Sequence, residues 1–111
     1  MTRANRSNDD DLLVALRHPL RRRILRAMAG EDALSPSKLA ATLRAPLSNV
    51  AYHVRVLADC AAVVLVHTQP VRGSTEHFYA PAVEAPWARQ ILDLGDSEDG
   101  GRGESPGGVG T

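Results

Sequence analysis

Two prolines fix the architecture in the middle of this 111-residue chain. Ser35-Pro36 opens a short helix, because a serine hydroxyl caps free N–H groups and proline fits the first helical position. Leu39, Ala40 and Leu43 give that helix one apolar face. Arg44-Ala45-Pro46 stops it after about two turns, since proline drives the residue before it out of the helical region. A second helix begins near Leu47 and puts Val50, Val54 and Leu57 on one buried stripe. It ends near Cys60. Two short helices joined by a tight turn, the second with a polar outer face, form the pattern of a DNA-binding helix-turn-helix.

The flanking segments complete a small domain. Asp9 to Asp11 suit the start of a helix carrying Leu12, Leu13 and Leu16. His18-Pro19 breaks it, and Pro19 opens another helix with Leu20, Ile24, Leu25 and Met28 on one stripe, ended by Gly30. Ala62 to His67 and Glu76 to Ala80 read as strands, with Thr68 to Thr75 as the loop between them. A last helix follows Pro86 and carries Trp87, Ile91 and Leu94. The expected fold is mainly α with a small β-hairpin, a winged helix-turn-helix in which the hairpin is the wing. Residues 1–10 are expected to be a flexible N-terminus and 11–94 the DNA-binding and dimerisation domain. Residues 95–111 are expected to be a disordered Gly-rich acidic tail, because they offer almost nothing apolar to bury.

Charge is balanced overall, at 13 basic and 13 acidic residues, but not locally. Between residues 12 and 79 nine bases face four acids, an excess of five. That asymmetry suits a polyanion-binding core with acidic ends, and equally a solvated basic face. The single cysteine, Cys60, excludes an intrachain disulfide. No hydrophobic leader opens the chain, and the longest apolar run, Cys60 to Val66, is far short of the ~20 residues that cross a bilayer. The expected location is the cytoplasm, with no membrane partner.

On the second helix of the pair, Ser48, Asn49, Tyr52 and Arg55 face away from the apolar stripe. Arginine can fork onto guanine and asparagine onto adenine, while serine and tyrosine reach phosphate or base edges. Two roles are open to His53: a half-buried ring bonded to backbone, or a phosphate contact. Lys38 sits on the first helix, which crosses the DNA backbone in this motif. Arg72-Gly73 lies where a cation can reach a minor groove or phosphate, or simply meet solvent. The run Arg21, Arg22, Arg23 and Arg26 reads mostly as solvated charge.

These segments resemble a known family. Ala15 to Leu25 looks like the opening of bacterial ArsR-like winged helix-turn-helix regulators. Leu34 to Ala40 and Leu47 to Leu57 resemble their helix pair, and Arg72 to Tyr79 their wing. The resemblance implies a transcriptional repressor that binds double-stranded DNA as a homodimer built from its first and last helices. Leu12, Leu13, Leu16, Trp87, Ile91 and Leu94 would then form the dimer contact. It also implies that Ser48, Tyr52 and Arg55 face the groove. Arg44 and Ala61 depart from the pattern, standing where many relatives carry glycine, the residue that adopts positive φ freely.

Family metal sensors use cysteines on the first helix of the pair or His/Asp ligands on the last. Ser37 to Leu43 holds no cysteine and no histidine follows His77, so neither set is expected here. His67 and His77 could face each other across the hairpin, but two ligands make a poor site. No cofactor is expected and no small-molecule effector is assigned. No catalytic activity is expected either, because His53 and Cys60 are ~10 Å apart along one helix, too far for a thiolate–imidazole pair. The competing class is a winged helix used for protein contact, which would not need cations at Lys38, Arg55 and Arg72.

Overall fold

X-Pro breaks separate the helices as the sequence implies. The computed structural model describes residues 8–95. Its elements run α1 (Asp9–Leu16), α2 (Pro19–Met28), α3 (Pro36–Leu43), α4 (Leu47–Asp59), β1 (Val63–Val71), β2 (Ser74–Pro81) and α5 (Pro86–Leu94). This is a winged helix-turn-helix. Proline opens α2, α3 and α5, where its missing N–H leaves no bond unmade. Asn8 caps α1, its Oδ1 accepting from the Asp11 N–H at 2.8 Å. The three aspartates fill the first turn behind it, where the helix dipole favours negative charge. Asn8 to Asp10 therefore belong to α1 and its cap rather than to a flexible N-terminus. Gly95, with φ 75°, is the C-cap of α5. The remaining expectations for the two ends, residues 1–7 and 96–111, lie outside the described residues. No described helix is long and apolar enough to cross a membrane.

α2 is the hub. It packs against α1, α3, α4, α5 and β2, and its Ile24, Leu25 and Met28 are buried. Leu39, Val50, Val54, Leu57, Val63 and Ala88 close around them. Burying a side chain of this size contributes about 1.5–3 kcal/mol. The other side of α2 corrects the expectation of solvated arginines. Arg21 donates from Nε to the Ala15 carbonyl at 3.2 Å and from Nη2 to that of Val14 at 3.0 Å. Arg22 reaches the Leu16 carbonyl, Arg23 that of Leu43 at 3.1 Å, and Arg26 that of Leu92 at 2.9 Å. These carbonyls lie in the last turns of α1, α3 and α5, where the regular intrahelical ladder runs out; those of Val14 and Leu92 also accept from the N–H groups of Arg17 and Gly95.

The hairpin is longer than its residue pattern suggests. Thr68 to Val71 and Ser74 to Thr75 are strand, not loop. Only Arg72 and Gly73 turn, with φ 45° and 78°, the positive values that a type I′ turn needs at both central residues. Register slips between Leu65 and His67, leaving Val66 as the extra residue. His67 consequently stands opposite Phe78, ring centroids 4.5 Å apart, while His77 stands opposite Thr68. Neighbouring cross-strand pairs occupy opposite faces of the ribbon, so the two histidines point apart and the His67–His77 pairing does not form.

The wing is tied to the helix pair at a place the sequence does not advertise. Leu34 and Tyr79 exchange two backbone hydrogen bonds at 2.9 Å. Beside them the fully buried Ser35 accepts from the Lys38 N–H at 3.2 Å and donates to the Glu76 carboxylate. One hydroxyl thus caps α3 and fastens it to β2.

The two departures from glycine carry the backbone that glycine would favour. Arg44 ends α3 with φ 54°, and Ala61 follows α4 with φ 60°. A Cβ in this region costs about 1–2 kcal/mol, partly offset in a glycine variant by about 0.5–1 kcal/mol of extra unfolded-state freedom. Ala61→Gly is expected to stabilise the domain by up to about 1 kcal/mol, raising the thermal midpoint by several degrees. Calorimetry checks this, and an unchanged or lower midpoint would show that the bend costs alanine no more than glycine loses through its extra unfolded-state freedom.

Candidate nucleic-acid interface

The buried stripe of α4 decides which side chains remain outside. Val50, Val54 and Leu57 are at most 1% exposed. Ser48, Asn49, Tyr52 and Arg55 lie on the exposed side, Tyr52 at 58%. The helix starts at Pro46-Leu47 with no side-chain cap, so its first N–H groups and positive dipole end are available to an anion.

Lys38 is exposed in the first turn of α3, its backbone fixed by Ser35. Arg72 is exposed at the hairpin turn. Because Ser35 and Leu34 hold the wing to the start of α3, the Arg72 turn, Lys38 and the outer face of α4 belong to one fastened framework. Pro36, Ser37, Ala51, Arg55, Thr75 and His77 line the groove between α3, α4 and β2. Arg55 thus borders both the outer face of α4 and the wing.

His53 takes neither of the two roles open to it in the sequence. Its side chain is 9% exposed, too covered to rest on phosphate, and its partner is a side chain rather than backbone. Its Nδ1 lies 3.2 Å from Nη1 of Arg21. A guanidinium only donates, so Nδ1 is the accepting nitrogen of a neutral imidazole. The His18 ring lies beside it, tilted by 38° with centroids 4.3 Å apart, and the Tyr52 ring meets it edge-on at 5.0 Å. Burial first, then His18 and Arg21, lower the His53 pKa below the usual histidine value. Arg21 and His53 are 32 residues apart, and no local sequence signal links them.

Cys60, at 7% exposed, is a core residue. Burial, aided by Asp11, pushes its thiol pKa up, away from the reactive thiolate. Among the described residues no three potential metal ligands of the His, Cys, Asp and Glu types come together.

The six apolar residues expected at a dimer contact divide into three sets. Leu12 and Leu16 are already in the core, at 3% and 6% exposed, because α1 turns them onto α2. Trp87 is half-buried, its indole N–H donating to Asp9 Oδ1 at 3.2 Å. Leu13, Ile91 and Leu94 remain exposed, Leu94 at 81%, and Leu13 and Ile91 border a groove that runs past Trp87.

Residues 16–67 match a family model described as a helix-turn-helix domain. No curated protein matches the chain. Solved structures similar to it include two transcriptional repressors. The transcriptional repressor PagR of Bacillus anthracis is 22% identical, with 78% of this chain and 90% of that one covered and a TM-score of 0.56. The antimony-specific transcriptional repressor AntR is 23% identical, with 75% and 68% covered and a TM-score of 0.56. At such identities the likeness is one of fold: the chain shares the winged helix-turn-helix architecture of these two proteins.

Proposed function

We propose that this chain binds double-stranded DNA in a sequence-specific manner as a homodimeric, ArsR-like transcriptional regulator, acting as a repressor. The observation that carries this reading is the outer face of α4. Ser48, Asn49, Tyr52 and Arg55 are exposed there on a helix held by a fully buried stripe, with cations beside it on α3 and at the wing turn. The helix-turn-helix match across residues 16–67 supports it, as do two similar folds that are transcriptional repressors. The antimony specificity of AntR is not carried over, because one cysteine, itself buried, cannot supply a multidentate thiolate site. Retention on mixed-sequence duplex DNA at low salt tests the reading, and no retention would defeat it.

The homodimer rests on Leu13, Ile91 and Leu94, apolar side chains left outside on α1 and α5. A domain of this size gains from covering such a face. Light scattering at micromolar concentration should give twice the chain mass for the native protein and the single-chain mass for the Leu13→Asp, Ile91→Asp double variant. A native monomer would remove the dimer.

Lys38 and Arg72 are assigned to phosphate. Lys38→Ala and Arg72→Ala should each weaken binding to every sequence and reduce the log–log salt slope by about 0.9. Wild-type affinity and slope in either variant would take that residue off the backbone. Arg55 is assigned to a base edge. Arg55→Ala should cost about 1–3 kcal/mol on the cognate site and relax preference at one base pair. Randomised-site selection run on both proteins decides it, since identical sequence preferences would leave Arg55 a phosphate contact only.

A further inference from the structure

The Arg21 guanidinium is shared between two helices. It donates to the Val14 and Ala15 carbonyls at the end of α1 and to His53 Nδ1 on α4. His18, between α1 and α2, closes the cluster. Its Nδ1 accepts from the Leu20 N–H at 3.0 Å, and its ring lies against that of His53 at a tilt of 38°. Nδ1 of each histidine is therefore an accepting nitrogen in the folded chain. A proton on either Nδ1 removes a hydrogen bond and turns an acceptor into a donor facing another donor.

We propose that His18, Arg21 and His53 form a proton-sensitive latch that fixes the seating of α4 against the end of α1, so that acid loosens the placement of the helix whose outer face carries Ser48, Tyr52 and Arg55. His53 and Arg21 are positioning residues in this account, acting through the placement of Tyr52 and Arg55 rather than by touching DNA. The titratable and charged groups facing His53 are His18, Arg21 and Tyr52, and of these His18 and Arg21 oppose its protonation. Asp11 on α1 and Asp59 on α4 act instead on the Cys60 thiol, which also feels Arg21.

The direction of the effect follows from linkage. The folded-state pKa of His53 lies below the ordinary value of about 6.5. Its contribution to folding stability is whole above that ordinary value, and is lost as the pH falls from there to the lowered folded value. DNA affinity behaves differently, because only the folded chain enters. It holds until the pH passes below the folded pKa and then declines, by up to about tenfold per pH unit for one coupled proton. A histidine resting on phosphate would give the opposite sign, binding more tightly in acid.

The inference rests on the DNA-binding reading for its output, though not for the latch itself. Two measurements keep the two apart. Histidine ring signals followed by NMR across pH 8 to 4.5, without DNA, should show His53 titrating below about 6.5, with the Arg21 Nε–H signal moving at the same midpoint. A free histidine titration at His53, or an Arg21 signal that does not follow it, overturns the latch. Duplex binding is then compared for the native protein and His53→Gln, whose amide oxygen can accept from Arg21 but does not titrate. The variant should keep native affinity at pH 7.5 and lose most of the acid decline. An unchanged decline in the variant overturns the latch. No binding by the native protein at pH 7.5 overturns the DNA reading and leaves the NMR result to judge the latch. If His53→Gln does not fold, Arg21→Lys replaces it. That variant should shift the His53 midpoint, and an unmoved midpoint overturns the proposal.

Discussion

Three helix ends meet the guanidinium side chains of one helix. α1, α3 and α5 each finish with carbonyls beyond the regular intrahelical ladder, and Arg21, Arg22, Arg23 and Arg26 supply donors to all three. Hydrogen bonds to a charged donor contribute about 1.5–3 kcal/mol when partly shielded from water, and the positive charge also suits the negative pole of each helix. Short helices of eight to ten residues are marginal on their own. Here their direction is set by where they end. α2 thus orders the domain twice, through an apolar stripe on one side and a row of cations on the other.

From that hub the arrangement of the outer face follows in steps. Arg23 holds the end of α3, and the tight turn at Arg44 hands the chain to α4. Val50, Val54 and Leu57 settle α4 against the core. Ser35, Glu76, Leu34 and Tyr79 then bring the wing to the start of α3. These joins pair polar groups that are partly shielded from water, so the geometry of the face and the stability of the core are one problem.

How far the sequence reveals this depends on the range of the signal. Prolines at 19, 36, 46 and 86 mark helix boundaries because their effect acts on neighbouring residues. The α4 stripe is legible for the same reason, and it leaves Ser48, Asn49, Tyr52 and Arg55 outside. What is missed acts across the fold. The pairing of Arg23 with Leu43 spans 20 residues and that of Arg26 with Leu92 spans 66, so the arginine run looks like solvated charge. His53 reads ambiguously because its partner, Arg21, is on another helix. Thr68 to Val71 looks like loop since Pro70 disfavours strand, but at a two-stranded edge its missing N–H is tolerated. Leu12 and Leu16 share their spacing with a surface stripe, and only the tilt of α1 on α2 separates them from Leu13.

The outer edge of β1 has a bearing on solubility. Val64, Leu65, Val66 and Val71 are exposed along it, and among the described residues β1 pairs only with β2. An apolar strand with a free edge is a template for stacking one copy on another. Two local faults interrupt that template. The bulge at Val66 breaks the regular spacing of hydrogen-bonding groups, and Pro70 has no N–H to offer a new neighbour. The wing keeps an apolar surface and a protruding turn while being a poor nucleus for fibre growth, so the same irregularities that obscure it in the sequence guard the protein in a crowded solution.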